Sequence, residues 1–257
     1  MAPPFPSPTA IWRDNTYPTL SPTRAELRAT GKTVIVTGGG TGIGAETARY
    51  FAEAGASRIG LIGRREQPLL DTKASIANKF PSVDVIAVSA DTRDKLAVDA
   101  AFAEIVGNGK LHVLISGAAT LGPMESIKEV DGEKFLNAVD HNLKGSLWVA
   151  QAFLQHAVPD AVAIDVNSNA AHMSFGAMGG CYSVAKMAIF RLWESVAAGN
   201  PELNIFHIQP GVVDTAMNKE AGGIEAIGYE DHGKWSANMF REKTSKPTLC
   251  SVSTSEL

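Results

Sequence analysis

A run of β-branched and apolar residues, Lys32 to Thr37, passes directly into the glycine-rich stretch Thr37-Gly38-Gly39-Gly40-Thr41-Gly42-Ile43-Gly44. A short apolar run that stops at glycines suits a buried parallel strand. A helical stretch then begins at about residue 43, so the order is strand, glycine turn, helix. Glycine admits positive φ and lets another backbone, or a ligand, approach closely. The helix N-terminus adds free N–H groups and a partial positive charge, which together make an anion site. Gly38, Gly42 and Gly44 are spaced G-x-x-x-G-x-G, not the common dinucleotide G-x-G-x-x-G. A tight turn that only satisfies its own geometry is the plainer alternative.

The rest of the chain repeats the alternation. Segments 58–63, 83–88, 111–115, 161–166 and 203–208 read as further strands. Helical stretches are expected near 43–54, 66–79, 93–106, 131–157 and 182–198. Alternating strands and helices imply right-handed βαβ units and an α/β fold with one doubly wound parallel sheet of the Rossmann type. Six strands are supported. Residues 1–30 are rich in proline and read as an irregular arm, 31–228 as the nucleotide-binding catalytic domain, and 229–257 as a divergent irregular tail with no seventh strand.

The second strand ends in Gly63-Arg64-Arg65. An NAD-binding unit wants an acid here for the ribose hydroxyls, whereas arginine accommodates a 2′-phosphate. NADP(H) is therefore favoured, with NAD(H) as the alternative. A solvated arginine pair opening a helix is the bland reading.

Tyr182 and Lys186 lie four apart in a helical segment, so their side chains stack on one face. A tyrosine of pKa near ~10 is a poor acid–base group at neutral pH unless a cation stabilises its phenolate. Lys186 is placed to do so.

At this point the chain resembles a short-chain dehydrogenase/reductase. The matching motifs are the Thr37–Gly44 turn, Asn142 in His-Asn-Leu-Lys-Gly, Ser168 in Val-Asn-Ser-Asn-Ala-Ala, Tyr182 with Lys186, and Pro210-Gly211 followed by Thr215. The resemblance spans about Gly31 to Gly228. It implies carbonyl–alcohol interconversion by hydride transfer, with Tyr182 as acid/base and Lys186 holding the nicotinamide ribose. Ser168 would polarise the substrate oxygen, and Asn142 would anchor a water of the proton relay. Gly38, Thr41, Gly42, Ile43, Gly44, Arg64, Arg65, Asp91, Thr92 and Thr215 would contact cofactor, Asp91 at the adenine and Thr215 at the carboxamide.

Three departures from the family pattern stand out. Ser116-Gly117-Ala118-Ala119 replaces its Asn-Asn-Ala-Gly. Ser168 sits one position further from Tyr182 than usual. Residues 229–257 do not resemble its closing strand. A non-catalytic nucleotide-binding remnant is accordingly the alternative to an active enzyme.

Other classes find no support. The net charge of -4 draws the chain neither to nucleic acid nor to anionic membranes. No apolar run reaches the ~20 residues of a membrane span. Six histidines and two cysteines, Cys181 and Cys250, lack zinc spacing, so no metal is expected. G-x-S-x-G is absent, against a serine hydrolase. Met173, Met178 and Met217 read as core or as pocket lining, and His141 and His172 as structural or substrate-facing. A cytoplasmic chain acting on a small molecule, as a homodimer or homotetramer built through helices around 143–157 and 182–198, is the expectation.

Overall fold

The computed structural model describes residues 18, 21–172, 179–211 and 213–223. Six strands, β1 (Thr33–Thr37), β2 (Arg58–Gly63), β3 (Asp84–Ser89), β4 (Leu111–Ser116), β5 (Ala157–Val166) and β6 (Asn204–Ile208), form one sheet in the order β3-β2-β1-β4-β5-β6. Every pairing is parallel. The helices are α1 (Gly42–Glu53), α2 (Glu66–Lys79), α3 (Lys95–Val106), α4 (Gly132–His156), α5 (Gly180–Gly199) and α6 (Ala216–Glu220). The expected doubly wound α/β sheet is therefore present, with six strands among the described residues. The expected irregular tail, 229–257, lies outside them.

The strands carry near-continuous apolar runs because both faces are covered. One face buries Val34, Val36, Ile59 and Leu61 with Ala48, Phe51, Leu69 and Ile76 of α1 and α2. The other buries Ile35, Ile62 and Leu114 with residues of α3, α4 and α5, including Phe102, Phe153 and Trp193. Trp193 is fully buried, meets the Phe153 ring edge-on at 6.3 Å, and donates its indole N–H to Ser146 Oγ at 3.0 Å. Burial of that ring with its polar atom satisfied seats α5 against α4.

Local chemistry sets the ends of the elements. Asp94 accepts from the N–H groups of Leu96 and Ala97 and so starts α3 one or two residues after the expected boundary. Asp131 caps α4 by accepting from Lys134 N. Strand β5 begins at Ala157, four residues before the expected 161, and its pairing with β4 shifts register between Leu111 and Val113. Pro159 accounts for this: proline cannot continue α4 and biases Val158 to extended backbone. Leu27 and Ala29, within the segment read as an arm, are buried, and Ala29 N donates to Ala54 O at 2.9 Å. The short helix α6 follows Asp214 and is capped by Thr215 Oγ1 accepting from Asn218 N. Among the described residues no helix is long and apolar enough to cross a membrane.

Candidate active site

The sheet order reverses between β1 and β4, and a crevice at the carboxyl ends of these strands is where open α/β sheets place ligands. Thr37 closes the two strand ends together, accepting from Gly117 N at 3.0 Å and Ala118 N at 3.2 Å. The turn that follows has no room for side chains. A Cβ on Gly44 would lie 2.3 Å from Gly38 O, and one on Gly38, whose φ is +74°, would lie 3.1 Å from Gly117 O. Both positions require glycine. Gly38 N and Gly39 N bond Ile62 O, which fastens the turn to β2.

The start of α1 is left open. Thr41 is its N-cap residue, yet its hydroxyl caps nothing, and no acidic residue stands in the first turn. Thr41 and Gly42 are exposed and Ile43 half-buried. Among the described residues no side chain caps the N–H groups there, as an incoming phosphate requires. Thr215 comes from the far side of the crevice: its Cγ2 would lie 3.0 Å from a Cβ on Gly42. The turn, the α1 N-terminus and Thr215 thus form one cradle, and a dinucleotide fits it.

At the other end of the crevice, Arg64 and Arg65 follow β2, both exposed and neither hydrogen-bonded through its guanidinium among the described residues. Asp91 stands beside them, because Gly63 of β2 pairs with Ser89 of β3. Its carboxylate is gripped by Arg93, with Nη2 to Oδ2 at 2.7 Å and Nε to Oδ1 at 3.2 Å. The Arg93 hydrogen bond, outweighing a small desolvation cost, holds Asp91 down to about 2. His141, half-buried on α4, is pushed below its ordinary range by burial first and then by Arg93 and Arg64. Thr92 is buried, and its Oγ1 lies 2.7 Å from where a Cβ on Gly145 would stand, so it fills the β3–α4 contact.

The remaining candidates gather at the ends of β5 and α5. Lys186 is buried, donates from Nζ to Val166 O at 2.5 Å, and lies 5.6 Å from the Tyr182 ring centre. Ser168 Oγ accepts from Ala170 N at 3.1 Å, so its hydroxyl hydrogen remains available to donate. Asn142 is buried with both amide hydrogens committed, to Thr120 O and Ala138 O, while its Oδ1 accepts from Thr120 N at 2.9 Å. It therefore pins the loop after β4 onto α4.

Cys181, next to Tyr182, is a buried filler whose thiol contacts Leu121 O and Pro123 O; burial pushes it up. His172 is exposed and stacks edge-on with Phe190 at 4.9 Å. Met217 is half-buried on α6, and Met173 and Met178 lie outside the described residues. No cluster suited to a metal ion occurs among the described residues.

Sequence reasoning passed over Thr37 as an organiser, and also over Asp165, Asn167 and His207. The last three do carry a signal. Each is a polar residue at an inward position near the end of an otherwise apolar strand or just after it.

Residues 32–224 match the short chain dehydrogenase family over most of the chain. The chain belongs to that family. A short chain dehydrogenase/reductase of Claviceps purpurea is 28% identical over 231 residues, covering 88% of this chain and 77% of its own length. A short chain dehydrogenase of Aspergillus terreus is 34% identical over 222 residues, 83% of this chain and 47% of the relative. Among solved structures, a short-chain dehydrogenase from Burkholderia cenocepacia in complex with NADP superposes with a TM-score of 0.73 at 24% identity, covering 83% of this chain and 89% of that one. This short chain dehydrogenase thus shares the fold of that protein and the oxidoreductase class of its family.

Proposed function

We propose that this short chain dehydrogenase, through residues 31–228 acting as one catalytic domain, uses NADP(H) to interconvert a carbonyl and a secondary alcohol. The observation that carries the reading is the pairing of an uncapped, glycine-floored α1 N-terminus with a buried Lys186 beside Tyr182. The first holds a pyrophosphate and the second manages a proton, and both open on the same crevice. NADP(H) is favoured over NAD(H) because Arg64 and Arg65, without an acceptor among the described residues, follow β2, where a ribose 2′-phosphate would lie.

The bound nicotinamide supplies or accepts the hydride. The chain's own residues do the rest. Tyr182 gives its phenolic proton to the carbonyl oxygen in reduction and recovers it in oxidation. Ser168 donates its free hydroxyl hydrogen to the same oxygen and polarises it. One Lys186 hydrogen is held by Val166 O, which aims the ammonium and leaves two for the nicotinamide ribose and for stabilising the Tyr182 oxygen. Asn142 would join a water relay through the one acceptor site left on Oδ1. Asp91 and Thr92 would border the adenine, and Thr215 the nicotinamide end.

Self-association as a homodimer or homotetramer belongs to the same proposal. Apolar side chains stand exposed on α4 and α5, Leu136, Leu154, Val184 and Met187 among them. A cytoplasmic setting suits the free Cys181.

The test is titration of the purified chain with NADPH and NADH, followed by intrinsic fluorescence. Micromolar NADPH binding that falls by about ten-fold or more in Arg64→Ala/Arg65→Ala is expected, since loss of a charge-assisted hydrogen bond is worth at least that. Binding of neither cofactor would sink the reading.

A further inference from the structure

One buried charge in the sheet has no part in the chemistry above. Asp165 lies on β5 at 1% exposure, on the face that packs against α5, in a layer otherwise filled by apolar side chains. Its Oδ2 accepts from Asn167 Nδ2 at 2.6 Å and from His207 Nδ1, across the β5–β6 pair, at 3.0 Å. A carboxylate oxygen can only accept, so His207 donates this bond from Nδ1. On the far side of the imidazole, Glu194 Oε1 of α5 lies 3.3 Å from Nε2, at ion-pair distance but without hydrogen-bond alignment. His207 also stacks on Phe190 of α5 at 4.4 Å.

Asn167 links this cluster to the catalytic groups. Its Nδ2, shared with Asp165, donates to Lys186 O at 3.2 Å, and its Oδ1 accepts from Ser168 N at 2.8 Å. One buried amide therefore holds the backbone of both Lys186 and Ser168. Its backbone N–H bonds Ile208 O at 2.9 Å, so the amide is itself anchored to β6.

Buried ionic groups are weak sources of stability, since an apolar replacement is often as stable, and their best-attested use is to fix one register among several. The layer between α5 and the sheet is mostly apolar and non-directional, so by itself it tolerates small slides of the helix. We propose that Asp165, His207 and Asn167 act as positioning residues, setting the height of α5 on the sheet so that Lys186 and Ser168 face one point in the crevice. Asp165 orients Asn167, His207 and β6 orient Asp165, and Asn167 fixes the two catalytic backbones. None of the three touches substrate or cofactor.

The inference rests on the proposed cofactor site and is separable from it by ligand binding alone. NADPH reaches Lys186 through its nicotinamide ribose, whereas 2′,5′-ADP occupies only the adenosine half. Asn167→Ala should weaken NADPH binding by about ten-fold, as expected when a group holding the ligand is misplaced, and leave 2′,5′-ADP affinity within about two-fold. Asp165→Asn keeps an acceptor for both donors and should bind NADPH within about three-fold of wild type, whereas Asp165→Ala should match Asn167→Ala. A loss confined to stability would lower the melting temperature and move neither affinity in the folded range. Should Asn167→Ala fail to fold, Asn167→Ser carries the same comparison. Wild-type binding of both ligands with unchanged NADPH affinity in the folded Asn167 variant overturns the positioning role and leaves the cofactor reading standing. Wild-type binding of neither ligand overturns the cofactor reading, and this inference falls with it.

Discussion

The two halves of the sheet handle their polar groups in opposite ways. In the half formed by β1 to α3, donors are left free among the described residues: Thr41 does not cap α1, and neither Arg64 nor Arg65 meets an acceptor there. In the half formed by β4 to α6, the critical side chains are tied down. Lys186 is held by Val166 O, both Asn142 hydrogens are committed, and Asn167 makes bonds from both ends of its amide. A site that binds a polyanion keeps donors vacant because the ligand brings the acceptors. A site that transfers a proton needs fixed directions, which come from side chains already bonded. Helix starts differ independently of the halves: α3 and α4 are capped by Asp94 and Asp131, whereas α1, which opens on the glycine turn, has no side-chain cap.

The sharpest way to break this division is to strike each half and ask what is lost. Tyr182→Phe removes only the hydroxyl proposed to transfer a proton. Turnover should drop by about 1,000-fold, within the span typical of general acid–base groups, while NADPH affinity stays within about three-fold. Steady-state rates and fluorescence titration on the same preparation decide it, and a parallel loss of binding would merge the two halves. Gly44→Ala strikes the other side. Its Cβ would sit 2.3 Å from Gly38 O, which is backbone and cannot step aside without opening the turn. NADPH binding should weaken by about 100-fold or more, in line with the few kcal/mol of a strained turn. Retained affinity would mean the turn is not the phosphate floor.

A milder pair of variants sharpens the comparison between helix starts. Asp94→Ala deletes two accepted N–H bonds and should cost α3 about 1 kcal/mol of folding stability by denaturant melt. Thr41→Ala deletes no cap bond, so it should leave stability within about 0.5 kcal/mol. Equal losses would show that α1 is capped after all.

How much of this was readable beforehand follows the same line. The strand, glycine turn and helix order is written in local residue types, as is the stacking of Tyr182 over Lys186, so the doubly wound sheet and the nearness of these two side chains were legible. So was the tight glycine turn, because Gly38 and Gly44 report backbone crowding that a sequence can show. What could not be read were couplings between distant segments: Thr37 to Gly117, Asp165 to His207, Asn167 to Lys186. Each joins residues on different elements whose spacing in sequence carries no period. The early start of β5 was missed although Pro159 marks it, because the pairing of Ala157 with Leu111 is a tertiary matter. Thr92 was matched to the cofactor by position, whereas its burial against Gly145 depends on where α4 crosses.

The smallest effect concerns the rim of the binding half, where one acid is not free. Arg93 holds Asp91 down to about 2, below the ordinary ~3.9 for an aspartate. A depressed carboxylate adds stability that is complete above the unfolded value and disappears as pH falls toward the folded one. The contribution is therefore full above about pH 4 and is lost between about pH 4 and pH 2. Arg93→Ala should lower stability slightly above about pH 4, neutrality included, and leave it unchanged below about pH 2, so that the acid limb of the curve becomes shallower in that window. The difference should be slight, because the Arg93 side chain is 45% exposed and water screens the pair. If Arg93→Ala instead shifts stability at pH 7 by as much as Asp94→Ala does, the rim pair is a structural tie like those of the catalytic half. The division between open and committed groups would then stop at the glycine turn.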